Sequence, residues 1–128
     1  MAARLGADVP FFLRGGRALA TGRGEKLRWL PVEPAWYAIV WPGFGVSTAA
    51  VYGAWDAVGG DGPNELFRAA CSVEPRLAGF AEGLGGGWRM TGSGSAFFRE
   101  TATEAEARTA VDGRAGWTAV ARSLEGLR

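Results

Sequence analysis

The hydrophobic positions of this chain fall into short blocks separated by glycine and proline, and the spacing within each block points to an element. RALATGRGEKLRWL (17–30) has two short runs on either side of a Gly22–Gly24 turn, which reads as two strands. PVEP (31–34) is a break, and WYAIVW (36–41) is a buried strand stopped by Pro42–Gly43. VSTAAVYGAWDAVGG then turns helical. Ser47 or Thr48 can cap it, Val51, Trp55 and Val58 fall at helical spacing, and Gly59–Gly60 end it. DGP (61–63) is a turn, and Asn64 is the expected cap of ELFRAACS. Pro75 opens a further helix with a Leu77, Phe80, Ala81, Leu84 stripe. WRMT (88–91) and SAFFRE (95–100) read as strands around a glycine turn. A capping box from Thr103 to Glu106 opens a helix that stops at Gly113, and WTAVARS (117–123) is a last strand.

From residue 36 the order is β, α with an extra helix, β, β, α, β. That is the split βαβ order of a ferredoxin-like α+β sandwich, with helices over one face of an antiparallel sheet. Residues 1–30 stand outside this pattern and look like the closing edge of something else.

Composition narrows the chemistry. The chain has 128 residues, 48% of them hydrophobic, enough for one core. Its 14 basic and 13 acidic residues are mixed and give a net charge of +1, so nucleic acid and anionic membrane surfaces are not expected partners. No apolar run approaches the ~20 residues of a membrane span. Cys71 is the single cysteine, which excludes an internal disulfide and fits a cytoplasmic setting. There is no histidine, so His-based triads and His metal sites are excluded, and a general base must be a carboxylate or another group.

Two glycine-rich stretches are candidates for phosphate. GLGGG (83–87) precedes a strand, whereas a phosphate loop needs a helix N-terminus after it, so this stretch reads as a helix stop. In MTGSGSAFF (90–98), Gly92 and Gly94 permit close approach of backbone to a ligand, and Ser93 and Ser95 add hydroxyls. On spacing alone, a ligand loop and a plain hairpin turn are equally open.

Several motifs in order carry a family resemblance: LGADVPFFLRGGRALATGRGEKL (5–27), WPGFGVSTAAVY (41–52), Asn64-Glu65-Leu66 and MTGSGSAFF. Together they resemble the second half of a GHMP kinase, of the kind that acts on a cytidine diphosphate-linked methylerythritol in non-mevalonate isoprenoid synthesis. The resemblance implies a C-terminal ferredoxin-like domain over 31–128, preceded in 1–30 by the tail of an N-terminal domain. It also implies ATP with Mg²⁺, and Asp8 as the catalytic carboxylate that orients or deprotonates the attacking 2-hydroxyl. Without the resemblance, Asp8 reads as a residue capping a turn before Pro10. By the same resemblance Gly92, Ser93, Gly94 and Ser95 approach phosphates, and Thr48 and Tyr52 contact the methylerythritol and cytidine ends. Helix cap for Thr48 and core for Tyr52 remain open alternatives. Trp29, Trp36, Trp41 and Trp88 are expected in the core, because they sit on predicted strands or their edges.

The resemblance has gaps. The family's GLGGGSS loop opening a helix is not in these residues, nor is the N-terminal lysine that partners the catalytic Asp. The link from Asp56 to Asn64 is short, and the chain stops soon after its last strand. These 128 residues are therefore expected not to bind ATP well or to catalyse alone. Two other readings stand beside this one. A free-standing ferredoxin-like module would bind a ligand or partner and cover its bare apolar face by self-association. A different GHMP kinase, acting on mevalonate or homoserine, would carry another version of LGADVPFF.

Overall fold

The computed structural model describes residues 4–124. Residues 36–121 form one compact unit, and the described residues on either side form another.

The flanking unit begins with a helical turn, α1 (Val9–Phe12), in which Pro10 occupies the first turn, where its missing N–H costs nothing. The sequence pattern does not predict this element, because four residues are too few to show a period. The strands β1 (Arg17–Thr21) and β2 (Lys26–Leu30) follow as an antiparallel hairpin pairing Arg17 with Leu30 and Thr21 with Lys26. Phe11 stacks on Trp29, with ring centroids 5.9 Å apart, and the Arg14 guanidinium lies 4.5 Å from the Trp29 ring. Phe12 and Leu13 remain exposed.

The larger unit opens with β3 (Trp36–Trp41) and continues through the helices α2 (Thr48–Val58), α3 (Phe67–Val73) and α4 (Arg76–Leu84). The strands β4 (Arg89–Met90) and β5 (Phe97–Thr101), the helix α5 (Glu104–Val111) and β6 (Trp117–Arg122) complete it. The sheet order is β4-β5-β3-β6. Thus β5 lies between β3 and β4, and β3 lies between β5 and β6, which makes two interleaved split βαβ units. The α+β ferredoxin-like sandwich is therefore the observed fold.

Local signals decide several helix ends. Ser47, not Thr48, is the N-cap of α2, its hydroxyl accepting from Ala50 N–H at 3.3 Å. Gly59 closes the helix at φ +63°. The capping box of α5 is formed in both directions between Thr103 and Glu106. The apolar stripe of α4 turns inward: Leu77 is fully buried and Leu84 is buried, with Phe80 and Ala81 packed against the same cluster. Val40, Val51, Ala69, Ala70, Met90 and Phe97 complete that core. Each large aliphatic side chain buried there contributes roughly 1.5–3 kcal/mol.

Three expectations are corrected. Asn64 does not cap α3, whose N-cap is Leu66; its Oδ1 instead accepts from Leu66 N–H at 3.0 Å, in a turn just before the helix. The strand expected over 88–91 is two residues long, because the chain turns just after it, with Gly92 at φ +55° and Gly94 N–H donating to Thr91 C=O at 3.1 Å. Trp41, expected in the core, is 40% exposed, because its indole N–H is drawn to the loop described next.

Candidate functional site

The MTGSGSAFF segment forms the turn between β4 and β5. Gly92 (φ +55°) and Gly94 (φ +96°) both take backbone conformations that other residues adopt at a cost. At Gly94 a side chain would also meet Met90 Sδ at 3.0 Å. The turn is closed by the Thr91–Ala96 bond and by Gly94 N–H donating to Thr91 C=O at 3.1 Å. The N–H groups of Gly92, Ser93 and Ser95 have no acceptor among the described residues.

The two serines divide. Ser93 is half-buried, and its hydroxyl shares a hydrogen bond of 2.8 Å with the Thr48 hydroxyl, on the first residue of α2. The glycine loop is thereby joined to a helix N-terminus, where unpaired N–H groups and the helix dipole favour negative charge. Ser95 is 4% exposed. Its hydroxyl donates to Phe44 C=O and accepts from Trp41 Nε1–H at 3.0 Å. Trp41 Nε1–H is shared with Phe44 C=O at 3.1 Å. The expectation that the Ser95 side chain faces a ligand is therefore corrected: that hydroxyl is spent inside the protein, and Ser95 offers only its backbone.

Phe44 belongs to the PGFGVST loop and carries the Arg76 guanidinium 4.2 Å from its ring centre. Arg76 is in turn paired with Glu74, Nη2 to Oε2 at 2.7 Å and Nε to Oε1 at 2.8 Å. The hydrogen bonds from the Arg76 side chain hold the Glu74 carboxyl down at about 2.

Thr48 and Tyr52 lie one turn apart on α2. Tyr52 is 55% exposed, so the core alternative for it is removed, as is the cap alternative for Thr48. GLGGG (83–87) runs from the end of α4 through Gly85, its C-cap at φ +78°, toward β4; it ends a helix and opens none.

Asp8 lies in the other unit. It is the N-cap of α1, but its side chain makes no capping bond, so its carboxylate does not serve the turn. A Cβ placed on Gly24 would sit 3.4 Å from Asp8 Oδ1, so the carboxylate lies against the β1–β2 turn. Beside it is an open hollow of about 340 Å³ lined by Arg4, Leu5, Gly6, Ala7, Arg23 and Glu25. Glu25 accepts from Arg23 N–H at 2.8 Å. Backbone hydrogen bonds, its own N–H first and that of Arg23 second, lower its carboxyl below the usual range. Among the described residues no group of three His, Cys, Asp or Glu side chains is placed to hold a metal ion.

Sequence reasoning places Thr48 and Ser93 in one site, and the structure brings them into contact. It does not single out Trp41, Phe44 or the side-chain role of Asn64, whose Nδ2 donates to Met90 C=O at 2.7 Å and to Gly92 C=O at 2.9 Å. For Asn64 the available signal was its place in the Asn-Glu-Leu motif.

Fold and site together define a class: a split βαβ sandwich whose glycine-rich hairpin loop is bonded to the N-terminus of the first crossover helix. Known proteins give that class a name. Over most of its length the chain is homologous to 4-diphosphocytidyl-2-C-methyl-D-erythritol kinases. It is 39% identical over 140 aligned positions to the kinase of that name from Halorhodospira halophila, covering 94% of this chain and 49% of that one. It is 58% identical over 64 residues to that of Moorella thermoacetica, covering 49% of this chain and 22% of that one. The crystal structure of a 4-(cytidine 5'-diphospho)-2C-methyl-D-erythritol kinase superposes with a TM-score of 0.70 at 33% identity, covering 95% of this chain and 55% of that one. No protein-family model matches the chain. The chain spans about half the length of the relatives that align with most of it.

Proposed function

We propose that these residues form the second half of the catalytic apparatus of a small-molecule kinase that transfers the γ-phosphoryl group of ATP to the 2-hydroxyl of 4-diphosphocytidyl-2-C-methyl-D-erythritol. The observation that carries this reading is similarity to kinases of that name across 94% of the chain. The substrate oxygen attacks the γ-phosphorus, the bond to the β-phosphate oxygen breaks, ADP leaves, and the hydroxyl proton passes to the Asp8 carboxylate. Asp8 suits that part because its side chain is free of any capping bond. The N–H groups of Gly92, Ser93 and Ser95 bind phosphate oxygens, the Thr48–Ser93 hydroxyl pair orients the bound group, and exposed Tyr52 offers a face for the cytosine ring. Mg²⁺, if bound with the nucleotide, would neutralise charge on the phosphates during transfer.

On this reading the 128 residues alone do not turn over, and activity needs the nucleotide-binding half. The test joins the chain to the N-terminal portion of the Halorhodospira kinase and follows ADP release with ATP, Mg²⁺ and 4-diphosphocytidyl-2-C-methyl-D-erythritol. The fusion is expected to be active, and Asp8→Asn to lower kcat by a factor on the order of 10³ or more with the fold retained. A folded fusion that ignores this substrate, or prefers homoserine, refutes the substrate assignment. An Asp8→Asn fusion as active as its parent removes Asp8 from the chemistry.

A further inference from the structure

We infer that Asn64 is a positioning residue, holding the 91–96 loop in the shape that presents its free N–H groups to phosphate. The inference rests on the reading of that loop as a phosphate-binding element.

The Asn64 side chain uses both ends. Its oxygen accepts from Leu66 N–H at 3.0 Å, two residues on, which Asp, Ser or Thr could equally do. Its nitrogen reaches a segment 26 and 28 residues away, donating to Met90 C=O at 2.7 Å and Gly92 C=O at 2.9 Å. These two carbonyls flank Thr91, the residue at which the strand turns into the loop. With them drawn toward Asn64, and with Thr91 and Gly94 N–H tied inside the turn, the N–H groups of Gly92, Ser93 and Ser95 are the ones left over. A side chain with one acceptor and two donors at this short reach is needed. Asp would set a carboxylate against two carbonyl oxygens, and Ser or Thr would reach neither.

The connection that carries Asn64 is closely packed. Gly60 lies so close to the next stretch of backbone that a Cβ there would collide with Glu65 C=O. The α2–α3 connection is thus packed backbone on backbone beside Asn64. A loop containing two glycines at positive φ loses much freedom on ordering, and Asn64 supplies that order before the ligand arrives.

The test uses the 128-residue chain and cytidine 5'-diphosphate as probe, followed by ¹H–¹⁵N spectra. In the wild type the amides of Gly92, Ser93 and Ser95 are expected to shift on titration. Asn64→Ala and Asn64→Asp are expected to bind about tenfold more weakly at pH 7, both losing the two bonds to the loop and the alanine variant also the bond from Leu66 N–H. Asn64→Asp is expected to regain affinity relative to wild type as pH falls below about 4, where a protonated carboxyl again offers one donor. A merely structural role gives no such recovery. Variants that bind as tightly as wild type overturn the inference while the phosphate reading stands. Wild-type amides that ignore the probe overturn both. If Asn64→Ala loses the dispersed spectrum of a folded chain, Asn64→Asp, which keeps the acceptor for Leu66 N–H, decides alone.

Discussion

Ser93 and Ser95 stand two residues apart in one loop, and the structure gives them opposite duties that a pair of alanine substitutions separates. Ser95→Ala removes a hydroxyl from a site 4% exposed and deletes two hydrogen bonds, one to Phe44 C=O and one from Trp41 Nε1–H. Neither partner is orphaned, because Trp41 Nε1–H still reaches Phe44 C=O at 3.1 Å. The penalty for a buried unsatisfied group therefore does not arise, and the loss is the net value of two bonds, about 1–2 kcal/mol. For a chain of this size that is a drop of roughly 4–7 °C in Tm. Ser93→Ala deletes one bond, to the hydroxyl of exposed Thr48, which water then satisfies, so its cost is below about 0.5 kcal/mol. Urea denaturation followed by tryptophan fluorescence reads both, as a shift in midpoint at unchanged slope. Binding of cytidine 5'-diphosphate should show the reverse order, with Ser93→Ala weakened and Ser95→Ala nearly as tight as wild type. Equal stability losses in the two variants, or a larger loss for Ser93→Ala, would refute the inward placement of Ser95.

Two further substitutions test the surroundings. Glu74, held down at about 2 mainly by hydrogen bonds from the Arg76 side chain, stabilises the fold above its ordinary value of 4.5, and that contribution disappears as pH falls toward 2. Glu74→Gln should be less stable than wild type at pH 7 and equal to it near pH 2; a difference independent of pH would rule out the ion pair as its source. Tyr52→Ala, at a position 55% exposed, should change stability by less than about 0.5 kcal/mol. It should weaken cytidine 5'-diphosphate binding by about tenfold if the ring stacks on the base; unchanged affinity in a titration would exclude stacking.

What the sequence made legible follows from how local each signal is. The cap and the glycine stop of α2 and the capping box of α5 lie within a few residues of the helix ends they decide. The βαββαβ order, read from such blocks, suffices for the sheet. Trp41 was misplaced because strand position predicts burial, while its exposure is decided by partners at Phe44 and, 54 residues away, Ser95. β4 is shorter than expected because the turn closed by Gly94 N–H on Thr91 C=O cuts it off, and nothing in WRMT announces that turn. In the site, the resemblance supplied Thr48 and Ser93 together, and their 2.8 Å contact is a relation between segments that no spacing rule reaches.

The contrast between the two glycine-rich stretches turns on the same relation. Glycine makes a conformation available but does not select it, and ordering a glycine costs more entropy than ordering any other residue. In TGSGS that cost is offset by groups from outside the loop: the Asn64 side chain on its two carbonyls, the Thr48 hydroxyl on Ser93, and the Trp41 indole with the Phe44 backbone carbonyl on Ser95. The N–H groups of Gly92, Ser93 and Ser95 have no acceptor among the described residues and, on the proposed reading, are the ones offered to a ligand. GLGGG is richer in glycine but has no comparable holders. Residue Gly83 accepts from Arg114 Nη1–H at 3.0 Å, and Gly85 terminates α4. On the reading proposed above, the loop is shaped less by its glycines than by the Asn64 and Thr48 side chains that hold it, and substitutions at those two positions are expected to alter ligand binding even though only Thr48 is a candidate contact.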